Sequence, residues 1–275
     1  LILEKIGEEI GEQFNRLGIH MNFAPVVDIN TNPKNPIIGN RSYGENKINV
    51  SKKGISFTKG IQSKNILATA KHFPGHGDTS KDSHLTLPTI DFSKKRINEV
   101  ELYPYKQLIK NGLSAIMVAH LNVPSLEKEK MLPSTLSKNI IEKILIKKLK
   151  FKGLIITDAL EMKGVSNFTK KNVDLSAFLA GNDILLMSSD ISKGIKSIKK
   201  AYKKGVISEE RLSRSVRKIL MAKYKVGLNN YQPIEEFNLV NDLNKFSSRN
   251  LINTSVENIP VLIKNQNNTH LLVNH

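Results

Sequence analysis

Short apolar segments alternate along this chain with longer segments of helical periodicity, and this alternation constrains the fold more than any other feature. Five apolar segments are predicted as strands: Met21–Ile29, Leu67–His72, Ser114–His120, Leu154–Asp158 and Asp183–Met187. The predicted helices around them include Leu1–Leu17, Asn46–Ser63, Lys94–Asn111, Leu136–Leu149, Val173–Ala180, Ile191–Lys204 and Glu209–Tyr224. Because these strands are apolar throughout, both of their faces should be covered. The pattern therefore predicts a parallel sheet between layers of helices.

The ends of the predicted strands favour a closed barrel over an open sheet. Four of the five end at or near polar side chains, which are Asp28, Lys71 with His72, His120 and Asp158. In a closed barrel such residues converge over one mouth. A barrel of this type has eight strands, whereas five are predicted here and the chain opens with a helix. We therefore predict an α/β fold, a (β/α)8 TIM-type barrel that lacks its first three strand–helix units.

The sequence pattern changes after Gly227, which predicts a domain boundary. Residues 1–228 are interpreted as the partial barrel, and the polar residues 229–250 as a linker. Residues 251–275 are interpreted as the beginning of a second domain that is cut short. Within them, Ser255–Lys264 has the pattern of a helix end followed by a strand, and the residues that remain offer no core to bury that strand.

The composition argues against several kinds of partner. The net charge of +17 comes almost entirely from lysines spread along the chain, with few arginines and no tryptophan, which indicates a solvated surface rather than a nucleic-acid groove. No apolar segment approaches the length of a membrane span, and the first residues lack the pattern of a secretory signal. The absence of cysteine excludes disulfides and thiolate metal sites. Neither the compartment, cytoplasmic or periplasmic and secreted, nor the oligomeric state follows from these numbers.

The segment Lys71–Pro88, KHFPGHGDTSKDSHLTLP, concentrates the titratable side chains of the chain. It follows a buried strand, and Pro74, Gly75 and Gly77 stop regular structure there, so it is predicted to be a strand end with its loop. Its histidines and acids are His72, His76, His84, Asp78 and Asp82. Active sites of parallel α/β proteins are built at such places, which makes this segment the predicted site.

Two arrangements of acids and histidines suggest catalysis. Asp82 and His84 are two residues apart, and a carboxylate on one imidazole nitrogen fixes the tautomer and raises the basicity of the other nitrogen. Such a pair can give and take a proton near neutral pH. Asp158 ends an apolar strand, where its carboxylate is open to three interpretations: a nucleophile, a metal ligand or a helix cap.

Hydrogen-bond donors are predicted beside these acids. Arg41, Lys71 and His72 at a barrel mouth would suit a substrate rich in hydroxyl or carbonyl groups. An alternative uses His72 and His76 as metal ligands, with Asp158, in a metal-dependent hydrolase. Pro74 excludes the helix on which their four-residue spacing would suit zinc.

These segments resemble a known family. Lys71–His84 is similar to the signature of glycoside hydrolase family 3, in its β-N-acetylglucosaminidase branch. Three further blocks resemble the family in its order, and they are Phe23–Gly44, Ala115–His120 and Gly153–Met162. The resemblance extends from the first helix to about Gly227. It implies that the missing part of the barrel carries an aspartate that binds sugar hydroxyls, so that this chain alone would neither close the barrel nor turn over substrate.

The resemblance also implies an activity and residue roles. The expected reaction is retaining hydrolysis of terminal β-linked N-acetylglucosamine in peptidoglycan-type or chito-oligosaccharide substrates, without metal or organic cofactor. The resemblance makes Asp158 the nucleophile, His84 the acid/base and Asp82 its partner. Arg41, Lys71 and His72 match sugar-binding positions, but two alternatives stay open at this point. One is a β-N-acetylglucosaminide phosphorylase of the same family, and the other is a catalytically inactive sugar-binding fragment.

Overall fold

The computed structural model of the chain describes residues 2–79, 87–166 and 172–257. Its strands are β1 (Met21–Asn22), β2 (Leu67–Phe73), β3 (Ala115–Val118) and β4 (Leu154–Thr157). The first helices are α1 (Ile2–Arg16), α2 (Lys47–Ser63), α3 (Lys94–Glu99) and α4 (Tyr103–Lys110), and a π-helix spans Asn139–Lys148. They are followed by α5 (Lys163–Ser166), α6 (Val173–Ala180), α7 (Ile191–Lys203), α8 (Glu209–Lys225), α9 (Leu239–Leu243) and α10 (Phe246–Glu257). Among these described helices, none combines the length and the apolar character that crossing a membrane requires.

The strands form one parallel sheet in the order β1-β2-β3-β4, as the alternation predicts. Because all four strands run in the same direction, the polar residues at their carboxyl ends lie at the same edge of the sheet. The predicted fifth strand, Asp183–Met187, is wrong in extent, because only Ile184 bridges Ile156 of β4. The Ile184 carbonyl accepts a hydrogen bond from Thr157 N–H at 3.0 Å, so this segment still lies beside β4.

The first predicted strand is also shorter than expected. Met21–Ile29 contains Pro25, which has no N–H to donate to a ladder, and β1 ends before it. The chain nevertheless stays beside β2: Thr69 N–H donates to Ala24 O, and Val27 N–H donates to Lys71 O, both at 2.9 Å. This continued pairing brings the residues after Val27 to the carboxyl end of β2.

The helices follow their sequence signals at most positions. The side chain of Asn46 accepts from two backbone N–H groups and caps α2, and Ser208 caps α8 by accepting from Arg211 N–H. The helix predicted over Lys94–Asn111, which Pro104 could kink, is wrong as one continuous helix, because the chain breaks between α3 and α4. Pro104 lies in the first turn of α4, where its missing N–H costs no helical hydrogen bond. The predicted helix Leu136–Leu149 becomes a short 3₁₀ turn, Ser134–Leu136, followed by the π-helix.

Close packing of α1 on α2 covers one side of the sheet. A Cβ at Gly60 of α2 would lie 2.0 Å from the carbonyl oxygen of Glu4 in α1, so only glycine allows this approach. The buried core beneath includes Val27, Phe57, Ile116 and Tyr105. It holds the strands, and therefore the polar residues at their ends, on a rigid support.

Residues 229–257 contain the helices α9 and α10. Arg16 of α1 pairs with Asp242 of α9 at 2.8 Å, and Ser248 of α10 donates to Glu9 of α1 at 2.5 Å. The end of the described chain therefore packs against α1. The division into residues 1–228, 229–250 and 251–275 stays a prediction, and most of its last part lies outside the described residues.

Candidate active site

The carboxyl ends of three adjacent strands gather the polar side chains that the sequence singles out. Lys71 and His72 belong to the end of β2, His120 follows β3 by two residues, and Asp158 directly follows β4. Asp28 reaches the same edge through the segment that runs beside β2. The parallel order of the strands therefore assembles the predicted site, as in other α/β proteins.

Asp28 is the most fully satisfied carboxylate of this edge. Its side chain is entirely buried and accepts a hydrogen bond from His72 Nδ1 at 2.7 Å. It also accepts from the backbone N–H of His76 at 2.7 Å and, more weakly, from the N–H of His72 at 3.2 Å. Burial alone would raise the pKa of Asp28, but the charge and hydrogen bond of His72, with those of His76, hold this pKa below its usual range. Asp28 is therefore ionised at neutral pH.

The turn after β2 is fixed by a second set of bonds. Thr79 Oγ1 lies 2.7 Å from His76 Nδ1, and Asn35 donates to the carbonyl of His76 at 2.8 Å. A Cβ at Gly77 would lie 1.9 Å from the carbonyl oxygen of Ile29, so the turn and the segment after Asp28 touch backbone to backbone. These contacts hold the turn up to Thr79 rigidly against the preceding strand segment.

The pKa of Lys71 responds to the charges of both acids of the site. Burial lowers the pKa of its ammonium group, and the positive charge of Arg41 lowers it further. The negative charges of Asp158 and Asp28 oppose both effects. The charges of Arg41, Asp28 and Asp158 therefore all act on the ammonium group of Lys71. Arg41 itself is exposed, and its guanidinium donates to the carbonyl of Ile37 at 3.1 Å.

Asp158 is half-buried, and its hydrogen bonds within the described part of the chain are to backbone groups. Its backbone N–H donates to Val118 O at 2.9 Å, which fixes it at the end of β4. One carboxylate oxygen accepts from the N–H of the next residue, Ala159, at 2.9 Å. Its charge acts on the pKa values of Lys71, His76 and His120. A half-buried carboxylate that is fixed at the end of a strand is suited to act as a nucleophile.

His120 is completely buried, with partners on both nitrogens. Nδ1 lies 2.7 Å from Thr135 Oγ1, and Nε2 lies 2.9 Å from the carbonyl of Ala159. Burial lowers its pKa, although the charge of Asp158 opposes this. A neutral imidazole that donates through Nε2 therefore anchors the residue next to Asp158, which is a structural role.

Comparison with known proteins identifies the family to which this domain belongs. The profile of the glycosyl hydrolase family 3 N-terminal domain matches residues 2–222. The chain belongs to this family. Beta-hexosaminidase A of Pseudoalteromonas piscicida is 36% identical over 242 residues, which are 81% of this chain and 40% of that protein. This chain therefore spans less than half of that relative's length.

Solved structures of family 3 proteins share the fold. A beta-N-acetylglucosaminidase from Paenibacillus sp. str. FPU-7 superposes with a TM-score of 0.84 at 36% identity, covering 94% of this chain and 51% of that one. A beta-glucoside phosphorylase superposes with a TM-score of 0.87 at 25% identity, covering 93% of this chain and 48% of that one. The predicted TIM-like α/β fold and the predicted family are both confirmed.

Four of the predicted site residues lie in the described part of the chain, and all four belong to one edge of the sheet. Arg41, Lys71 and Asp158 share one edge of the sheet, and His72 lies there too, but its ring is nearly buried. Asp82 and His84 lie outside the described residues, so their predicted pairing stays a prediction. The alternative metal site is not supported: in residues 2–79, 87–166 and 172–257, no group of three His, Asp or Glu side chains is placed to hold an ion.

Asp28 is the site residue to which sequence reasoning assigned no role. Its position at the end of a predicted strand was a valid signal, shared with Lys71 and Asp158. The partner could not be predicted, because His72 meets Asp28 only through the pairing of two segments 44 residues apart.

Acidification should destabilise this family 3 domain. Burial lowers the pKa of His76 and of His120, with the charge of Asp158 opposing in both cases. The unfolded chain therefore takes up these protons first. The resulting stability is fully present above the unfolded pKa of about 6.5 and is lost below it, by at most about 1.4 kcal/mol per pH unit for each proton. Melting temperatures measured calorimetrically at about pH 8 and about pH 5.5 check this.

A variant separates the two histidines. His120→Gln keeps an amide that can donate to Ala159 O and removes one titrating group. Its melting temperature should depend less on pH over the same interval. An equal pH dependence in the variant would show that His120 does not contribute.

Proposed function

We propose that this chain is the catalytic part of a retaining β-N-acetylglucosaminidase that removes terminal β-linked N-acetylglucosamine. The observation that carries the proposal is Asp158: in a family 3 domain it ends β4 as a half-buried carboxylate, beside the cation Lys71. The similarity to a beta-hexosaminidase and to a beta-N-acetylglucosaminidase, both at 36% identity, supports the choice of sugar.

The proposed reaction has two steps. In the first, a carboxylate oxygen of Asp158 forms a bond to the anomeric carbon while protonated His84 donates its proton to the leaving oxygen, and the glycosidic bond breaks. In the second, His84 takes a proton from water, which attacks the same carbon and releases Asp158. Asp82 orients His84 throughout.

The proposed substrates are peptidoglycan fragments or chito-oligosaccharides. Arg41 and Lys71 place two cationic donors at the same edge as Asp158, and donors of this kind match the hydroxyl and carbonyl groups of an N-acetylated sugar. Hydroxyl-rich substrates bind through such hydrogen bonds.

A phosphorylase is the second candidate, and the similarity to a beta-glucoside phosphorylase favours it. In that reaction phosphate rather than water would release the sugar from Asp158. A histidine acid/base repels phosphate less than a glutamate would, because a neutral or cationic imidazole carries no negative charge.

Product analysis with the full-length protein distinguishes the candidates. We expect 4-nitrophenyl β-N-acetylglucosaminide to be cleaved in phosphate-free buffer, with the β-anomer of N-acetylglucosamine as the first product detected by NMR. Formation of the sugar 1-phosphate with a rate that depends on added phosphate would identify the phosphorylase instead. Binding of N-acetylglucosamine without any cleavage would indicate a sugar-binding protein and contradict the proposal.

A further inference from the structure

The buried carboxylate of Asp28 takes no part in the proposed bond-making steps, yet it is the centre of a cluster of hydrogen bonds beside them. Its two oxygens accept hydrogen bonds from His72 Nδ1 at 2.7 Å, from His76 N–H at 2.7 Å and from His72 N–H at 3.2 Å. All three donors come from the end of β2 and its turn. A buried carboxylate with this many donors is stable as an ion and holds its partners in one geometry.

The contact with the His72 ring fixes the state of that ring. An ionised carboxylate can only accept hydrogen bonds, so the nitrogen facing Asp28 must carry the proton. In the neutral imidazole this leaves Nε2 as the acceptor. The side chain of His72 is only 8% exposed, so its ring has little freedom to turn away from Asp28.

The surroundings of this pair make the orientation rigid. The ring of His76 packs edge-on against the ring of His72, with centroids 5.8 Å apart. The side-chain amide of Asn35 donates a hydrogen bond to the carbonyl of His76 at 2.8 Å. The segment around Asp28 and the turn after β2 therefore form one unit.

We infer that Asp28 is a positioning residue of the sugar-binding site, which holds His72 in the Nδ1–H tautomer so that Nε2 is the atom offered to a hydroxyl group of the sugar. The inference rests on the proposed function, because the family resemblance matches His72 to a sugar-binding position. It adds to that proposal a residue that does not touch the sugar and acts through the imidazole.

The tautomer is tested without any enzyme assay. In the full-length protein with ¹⁵N-labelled histidine, recorded over a series of pH values, we expect the NMR signals of the neutral His72 ring to show a protonated Nδ1 and an Nε2 without a proton. In Asp28→Asn, the amide oxygen should keep the hydrogen bond from the backbone N–H of His76, because an N–H group placed there would meet another donor. The amide N–H group should therefore face Nδ1 of His72. The proton should then move to Nε2.

A matched control lies on the same turn. Asp78 accepts a hydrogen bond from Thr31 at 2.9 Å and has no described bond to His72, so Asp78→Asn should leave the His72 tautomer unchanged. A protonated Nε2 in the wild-type protein, or the same tautomer in the wild type and in Asp28→Asn, would overturn the inference.

Kinetics then test whether Asp28 acts through His72. We expect Asp28→Asn to reduce kcat/KM for the aryl substrate by about 10-fold to 100-fold, as when a histidine loses its orienting partner. His72→Asn keeps a side-chain donor toward Asp28 but removes Nε2, and it should cause a similar loss with a melting temperature near that of the wild type. In the double variant the two losses should not multiply, whereas multiplication would show that Asp28 acts independently of His72 and would overturn the inference.

The two proposals fail in different ways. If the wild-type protein cleaves no glycoside, the proposed function fails, while the NMR comparison still decides whether Asp28 sets the state of His72. If cleavage is normal but Asp28→Asn changes neither the tautomer nor kcat/KM, the proposed function stands and the positioning role is wrong. Should Asp28→Asn fail to fold, the tautomer of the wild type and the activity of His72→Asn remain decisive.

Discussion

Replacing Asp158 with alanine should lower kcat/KM by about 10⁴-fold or more, because removal of a nucleophile eliminates the covalent route. The fold should survive the change. The backbone N–H of Asp158 keeps its bond to Val118 O, and the carboxylate is only half-buried, with one described hydrogen bond, from Ala159 N–H. The measurement is kcat/KM for an aryl β-N-acetylglucosaminide, together with the melting temperature, in the full-length protein.

A control and a labelling experiment make this prediction specific. Asp91→Ala removes an exposed carboxylate outside the site and should leave kcat/KM unchanged. A mechanism-based fluorosugar should form a stable ester with Asp158, which peptide mass spectrometry locates. A label on Asp82 would show that the nucleophile is assigned to the wrong carboxylate.

The sequence was sufficient to predict the parallel sheet because the signal is local. Each strand is a continuous apolar segment, and segments such as Ala115–Val118 and Leu154–Thr157 differ from their predictions by one or two residues at the ends. Predictions failed where tertiary packing decides. Pro25 stops β1 but does not move the chain away from β2, and the break between α3 and α4 has no strong sequence signal, since Pro104 suits a helix start as well as a kink.

For the candidate site too, the features with a local sequence signal could be predicted and those set by tertiary packing could not. Because the ends of parallel strands lie at one edge of a sheet, the strand-end positions of Lys71 and Asp158 predicted that both residues belong to the same edge. The lowered pKa of Lys71 could not be predicted, because it reflects first the burial of the ammonium group and then the charge of Arg41, which lies in another segment of the chain. The pair of Asp28 and His72 depends on register between segments that are far apart in sequence. Local patterns therefore locate the site, and long-range packing sets its electrostatics.

The acid/base assignment leads to the second large effect. His84→Ala should slow the glycosylation step greatly with a natural sugar leaving group but little with an activated aryl group, since an activated group departs without a proton. Asp82→Asn keeps the shape of the partner and should still reduce the rate by about 10²-fold or more if proton transfer is limiting. Both variants are compared on kcat/KM for the two kinds of substrate.

The second half of the cycle gives an independent measurement of the same role. Water needs a base to attack the glycosyl-enzyme, whereas azide is already an anion and needs none. Azide should therefore restore turnover of the aryl substrate by His84→Ala and yield a β-glycosyl azide, since attack on the covalent intermediate inverts its configuration a second time. It should not restore Asp158→Ala to the same product, because that variant forms no intermediate. If His84→Ala slows good and poor leaving groups equally and azide has no effect, His84 is structural and another group moves the proton.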